Sequence, residues 1–457
     1  MRSVIVLAVL LAAEAADVLK DPGDLALVLD EEQFEDYLDN WLAQEQYRRI
    51  LPAPPNSEGC TFKINGHLGQ PQPVFLRHDS RRSVDRYLVA EENTGRIHIN
   101  KGEQITVACP GTVIRSTAVD RTKKKVKVEP KSVAKARCVK NYFVSGEGWL
   151  QGEVAFNRLV CSEHLVPKIQ TFVDKKFCQQ SALQVGYIVE NKFHELYRAC
   201  FDQNLMQVLY VQYAQTPAHV VHQTGVPRPS KWLPETYFPG VNLDTLYTQT
   251  SQKSVFASYV GPTNANKYIT RTKQRFLAKG HLAAKSDFVF ASAQRATFFY
   301  INAAPQWQCI NAGNWNKLEQ NLRARIGFAN YNTIIYTGTF GVMQLPGEND
   351  KPVDVFLTEK RQGKVPVPLY FYKVVYDVKN LRGTVFITIN NPHLPLSEAE
   401  SMAQHFCEDQ CHDNVDFDWL KWEPRRVEVG YSFCCKVDDF RKKVNYLPSF
   451  KTDQLLF

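Results

Sequence analysis

Residues 277–323 constrain the chain more than any other stretch, because two apolar runs and one amphipathic run stand there in immediate succession. LAKGHL closes on His281, ATFFYINAAPQWQ carries Asn302 and Gln306, and INAGNWNKLEQNLRAR follows at once. Short apolar runs between polar boundaries read as strands, and the last run has helical spacing, so the predicted order is strand, strand, helix. Asn311, Trp315, Glu319 and Arg323 are spaced by four. Each such step drifts only about 40° around a helix, so all four are expected on one broad face of a single helix. Gly327 is the expected stop, and Trp315 is assigned to packing.

These residue types suit hydrolysis of a phosphodiester, which needs a base for water, a cation against the developing charge and support for the leaving oxygen. His281 offers a neutral imidazole. Asn311 offers a neutral oxygen to a hard cation that keeps most of its water, Mg²⁺ or else Mn²⁺, and Glu319 would hold those waters. Lys279 and Arg323 are expected to face the phosphate. Singly, each residue has an ordinary reading: a core histidine, a helix cap, an i,i+4 pair. Their order is what favours a site.

At these positions the sequence resembles the DNA/RNA non-specific endonucleases with a ββα-metal finger, and within them the arthropod gut double-stranded RNases and duplex-specific nucleases. The motifs are Lys279-Gly280-His281, NAAPQ at 302–306 and NAGNWNKLE at 311–319. VPVPLYFYKVVYD at 365–377, INNPH at 389–393 and SFCCKVDDFR at 432–441 also look like the arthropod branch, so the likeness covers most of the chain after about residue 190. The resemblance implies an α+β fold with a mixed central sheet, His281 as general base and Asn311 as the protein's metal ligand. Asn302, Gln306, Glu319 and Arg323 fall on supporting positions. It also implies 5′-phosphate ends and little sequence preference, with duplex RNA the first choice of polymer and duplex DNA the alternative. The rival of another class is a non-catalytic nucleic-acid-binding protein that keeps the fold. Two departures stand out: Ala278-Lys279 replaces the broader family's Asp-Arg, losing a bidentate fork, and an arginine of the bacterial members has no counterpart near Gln252.

The chain opens with Arg2, VIVLAVLLAA and Ala13-Glu14-Ala15, the pattern of a signal peptide over 1–15. Export is therefore expected, with the gut lumen one candidate compartment. No later apolar run approaches the length of a membrane span, so no membrane contact is expected, and no protein partner is inferred. Residues 16–49 carry ten acidic residues against one basic before Arg48-Arg49, and read as a pro-segment or as an acidic helix packed on the body. Removing that segment leaves a body more basic than the net +8 of the whole chain, which suits a polyanionic partner.

Residues 50–187 are expected to form a small disulfide-containing β-rich domain, with RIHINKGEQITVAC as a hairpin. Its most basic run holds Lys123, Lys124, Lys125 and Lys127, either a solvated loop or a patch that tracks phosphates. The nuclease domain is expected over 188–457, with TIIYTG, VDVFL, YFYKVVY and TVFITI as sheet strands. Of eleven cysteines, six precede the central motif and four follow it, two even sets that suit disulfides in an oxidising compartment and leave Cys309 over. CEDQCH with Cys434-Cys435 could also be drawn as a zinc site, the weaker reading for an exported chain.

Overall fold

The computed structural model describes residues 59–80, 83–116, 129–233 and 236–457. The signal sequence, the acidic segment and Lys123, Lys124, Lys125 and Lys127 lie outside the described residues.

Eight strands form the central sheet, in the order Lys168–Phe172, Ser181–Val189, Lys192–Asp202, Gln207–Gln215, Thr333–Val342, Pro368–Asp377, Arg382–Ile389 and Ser432–Cys435. The α+β class holds, but every neighbouring pair is antiparallel, so the strand directions are not mixed. Turns of a few residues join three of the seven neighbouring pairs, 189 to 192, 202 to 207 and 377 to 382, and such turns cannot make a parallel crossover. The inner strands are buried on both faces, which is why they read as continuous apolar runs. Phe371 and Val375 enter the core on one face, while Tyr372 and Val374 enter the core on the other, as a period of two requires. VDVFL is the exception: Pro352–Asp354 pairs only with Gln344–Pro346, outside this sheet.

Preceding it is a six-stranded sheet built from Val84–Tyr87, Val74–Asp79, Gln104–Ala108, Val133–Lys140, Phe143–Ser145 and Val154–Ala155. Cys60–Cys138 and Cys109–Cys161 tie this region together. RIHINKGEQITVAC does not make the expected hairpin. Arg96–Asn100 pairs with Gly59–Lys63, whereas Gln104–Ala108 pairs with Val74–Asp79 and Val133–Lys140, so the tight turn passes the chain between two sheets. Position 187 falls inside a strand of the central sheet, and the Cys178–Cys200 disulfide spans it.

The two regions share one core and one buried amide bracket. Gln72 donates to Gln223 Oε1 at 2.8 Å and accepts from the Ser292 amide at 3.1 Å, while Gln223 Oε1 also accepts from the Ala291 amide at 3.0 Å. A side chain of the first region thus holds the segment that connects the paired strands Leu277–His281 and Ala303–Trp307.

The expected single helix is two. Gln308–Asn311 ends before Gly313, and Asn314–Ala329 follows, so Asn311 does not share a helix with Trp315, Glu319 and Arg323. Gly327 does not stop it; Asn330 does, in a left-handed conformation with φ 59°. A Cβ on Gly327 would meet Val220 Cγ2 at 2.1 Å, so the glycine is there for close packing.

At the C-terminal end, Cys407–Cys435 and Cys411–Cys434 consume the sulfurs that a zinc site would need. Asp409, the third member of that cluster, accepts from the Cys411 and Cys434 amides at 3.0 Å each. Cys309 is the free thiol, and burial pushes it up to about 11, out of range for a nucleophile.

Candidate active site

Leu277–His281 and Ala303–Trp307 pair antiparallel, with Leu277 opposite Trp307 and His281 opposite Ala303, and the second strand runs directly into Gln308–Asn311. Three buried amides fix this hairpin through its backbone. Gln252 donates to the Leu277 carbonyl and accepts from its amide, both at 2.8 Å. Asn302 accepts from the Ala283 amide at 2.8 Å and donates to the Ala283 and Thr297 carbonyls at 2.9 Å, setting the turn just past His281. Asn390, from INNPH, accepts from the Trp307 amide at 3.0 Å and donates to Pro305 and Pro368 carbonyls, tying the hairpin to the central sheet. Gly280 is needed because a Cβ there would stand 2.6 Å from Gln306 Cβ.

His281 lies against the rings of Trp232 and Phe298, with centroids at 4.8 and 4.9 Å. Burial first, then the positive charges of Arg228 and Lys285, pull its imidazole down to about 3, so it is neutral at any physiological pH. Its Nε2 is buried and has no hydrogen-bond partner among the described residues. A buried acceptor left open costs about 1–3 kcal/mol, and such an atom is expected where a substrate or water completes it.

The two cations expected at the phosphate are both already paired. Lys279 Nζ sits 2.8 Å from Asp244 Oδ1 and over the rings of Tyr300, Trp232 and Tyr247 at 4.8, 5.5 and 5.6 Å. Burial disfavours the Asp244 carboxylate, but hydrogen bonds from Lys279 and Tyr300 outweigh it and hold its pKa low. Arg323 is 7 % exposed and paired with Asp287, itself 2 % exposed. Asp287 also accepts from Tyr213 Oη at 2.6 Å and Gln215 Nε2 at 3.2 Å. Arg323 therefore faces the interior, and the expectation that it meets phosphate is corrected: on this helix the i,i+4 position falls over the core.

Glu319 stands beside this buried cluster. Burial pushes its carboxyl up to about 7; Asp287 adds to the rise, while Lys373 and Arg323 oppose it. Lys373 donates to Thr337 Oγ1 at 2.6 Å and Tyr213 Oη at 3.0 Å.

Asn311 suits a hard cation. Its one side-chain hydrogen bond runs from Nδ2 to Gln308 Oε1 at 3.3 Å, leaving Oδ1 without a protein partner among the described residues. Gln306 is fully buried, with neither Oε1 nor Nε2 bonded among the described residues, a second open group on the same hairpin. A neutral oxygen donor of this kind matches an ion that is bound mostly through water. His219, by contrast, accepts from the Thr216 amide at 3.2 Å and caps a turn.

Trp232, Asp244, Asp287, Lys373 and Arg228 were not singled out from sequence. Only the proline-rich loop around Trp232 carried any signal, as an irregular segment long enough to reach across a site.

A hairpin ending on a neutral, unpartnered histidine and leading into a helix with an open amide oxygen is the layout of a metal-dependent phosphodiesterase of the ββα type. Residues 178–440 match the DNA/RNA non-specific endonuclease family, and the chain belongs to it: it is a metal-dependent nuclease acting on nucleic acid. It is similar to a salivary endonuclease of Lutzomyia longipalpis, 24% identical over 406 residues that cover 86% of this chain and 85% of that one. A salivary endonuclease of Culex quinquefasciatus is 27% identical over 217 residues, covering 46% and 50%. Salivary protein Tsal2A of Glossina morsitans morsitans is 26% identical over 270 residues, covering 58% and 64%.

Proposed function

We propose that the protein is an exported, Mg²⁺-dependent endonuclease that hydrolyses duplex RNA with little sequence preference. The observation that carries the catalytic part is the His281 imidazole, held neutral with Nε2 open. Nε2 takes a proton from the attacking water as the oxygen meets phosphorus and the 3′ oxygen departs. Asn311 Oδ1 would hold the cation, with Glu319 binding its waters. When bound, the cation would neutralise charge on the phosphoryl oxygens. Asn302 and Gln252 keep His281 in place by fixing the backbone on either side, and Lys279 and Arg323 act through Asp244 and Asp287.

Export is supported by the signal-like start of the chain and by similarity to salivary endonucleases. Among the described residues no helix is long and apolar enough to cross a membrane. The choice of duplex RNA rests on the motifs shared with arthropod double-stranded RNases. Digesting duplex RNA and duplex DNA in parallel, with Mg²⁺, with Mn²⁺ and with EDTA, tests the polymer and the metal. Faster cleavage of DNA would replace the polymer, and cleavage undiminished by EDTA would remove the metal.

A further inference from the structure

A general-base imidazole is ordinarily turned and held by a hydrogen bond at its second nitrogen. His281 has no hydrogen bond or ion pair at either ring nitrogen among the described residues, so something else must fix the ring. What touches it is aromatic. The centroids of His281, Trp232 and Phe298 form a closed triangle with sides of 4.8, 4.9 and 5.5 Å, the imidazole tilted 52° to the indole and edge-on to the phenyl ring at 85°. Each ring meets the other two, so in a close-packed interior the imidazole cannot swing without displacing one of them.

Phe298 is 2 % exposed and belongs to the segment between the paired strands. Trp232 is half-buried and comes from outside that segment, on the irregular span VPRPSKW at 226–232. This strap is pinned at both ends by bonds that do not use the indole. Lys285 Nζ donates to the Val226 carbonyl at 2.6 Å, Arg295 Nη1 donates to the Pro227 carbonyl at 3.3 Å, and the Leu233 amide donates to the Phe298 carbonyl at 2.9 Å. Pro227 and Pro229 fix their own φ angles, which stiffens the span between. The indole itself is braced by Tyr300, with centroids 5.5 Å apart, and by Lys279 Nζ, which is tied to Asp244 and lies 5.5 Å from the indole centre. The loop thus delivers one flat wall to the base.

We propose that Trp232 is the positioning residue of the general base, doing by ring packing what a carboxylate does through a hydrogen bond for other histidine bases. The proposal rests on the nuclease reading with His281 as base. Ring packing holds the imidazole without placing a negative charge beside a polyanion, which a carboxylate would do. It also gives Lys279 a part that needs no phosphate, since an ammonium within about 6 Å of an indole steadies it by attraction to the ring face.

The test compares Trp232→Ala, Trp232→Phe and Trp232→Leu in the full chain with Mg²⁺ present. Misplacing a reacting group by about 1 Å costs about 10²-fold, so Trp232→Ala should lower turnover at saturating duplex by about that factor with KM unchanged. Trp232→Phe keeps a flat ring and should recover most of the loss, whereas Trp232→Leu fills the space without a plane and should not. Duplex affinity measured in His281→Ala should be the same with and without Trp232→Ala. Turnover unchanged in Trp232→Ala, Leu serving as well as Phe, or affinity lost in step with turnover each overturns the proposal. Urea midpoints report folding, and if Trp232→Ala alone fails to fold, the comparison of Phe with Leu decides. Turnover retained in His281→Ala would overturn the base reading itself; an inactive His281→Ala beside a fully active Trp232→Ala would overturn the positioning role alone.

Discussion

Replacing Asp287 with asparagine isolates the buried ion pair behind the catalytic helix. Asn keeps the volume and one acceptor for Tyr213 or Gln215, but it leaves the Arg323 guanidinium charged, 7 % exposed and without its counter-ion. Removing one partner of a buried pair costs about 3–5 kcal/mol, against a total stability of about 5–15 kcal/mol for a typical fold. Urea unfolding in EDTA at neutral pH should therefore lose about a fifth or more of its midpoint. Asp287→Asn with Arg323→Met removes both charges and should recover most of the loss. The same substitution deletes a negative charge that helps raise Glu319, so the Glu319 carboxyl should titrate below about 7. A loss under about 1 kcal/mol in the single variant, with no recovery in the double, would show that Arg323 draws its compensation from elsewhere and refute the argument.

His281→Ala should lower turnover by about 10²–10⁴-fold while duplex affinity stays near that of the unmutated protein, because the base acts only in the transition state; retained turnover removes it as the base. Glu319 in the metal-free fold holds its proton up to about 7 whereas the unfolded chain releases it near 4.5, so its contribution to stability is present below pH 4.5 and lost as pH rises towards 7. Glu319→Gln should flatten stability across that window, as urea midpoints at several pH values would reveal. Gln306→Met replaces two unbonded buried polar atoms with an unbranched apolar chain and should leave stability equal or raise it by about 1–3 kcal/mol, while activity falls; a stability loss would mean that the amide is bonded in solution.

The sequence made the catalytic hairpin legible because its signals are local. Strand periodicity, the Lys279-Gly280-His281 strand end, the run closing on Asn302, and the amphipathic run after Asn311 all lie within residues 277–323. The α+β class followed from long apolar strands that cannot be read as helix. The partners that decide charge were not legible, since Lys279 meets Asp244 from 35 positions away and Arg323 meets Asp287 from 36. Periodicity places a side chain on a face but does not say what the face meets, so two cations assigned to phosphate turned out to serve carboxylates. Strand direction failed for a similar reason, as it depends on which run pairs with which. The break at Gly313 was hidden because a one-turn helix followed at once by a longer one keeps the spacing of one.

The bracket of Gln72, Gln223, Ala291 and Ser292 bears on how such a chain can be inherited. The family match begins at residue 178, yet the amide that holds the segment behind His281 belongs to residue 72. A lineage that exchanged the first region for an unrelated one would leave Gln223 and the Ser292 amide facing an apolar wall, and would lose geometry at the base without touching a catalytic residue. The region ahead of the recognised family segment is therefore bound to descend with it, and substitutions at Gln72 should be found only alongside compensating changes at Gln223.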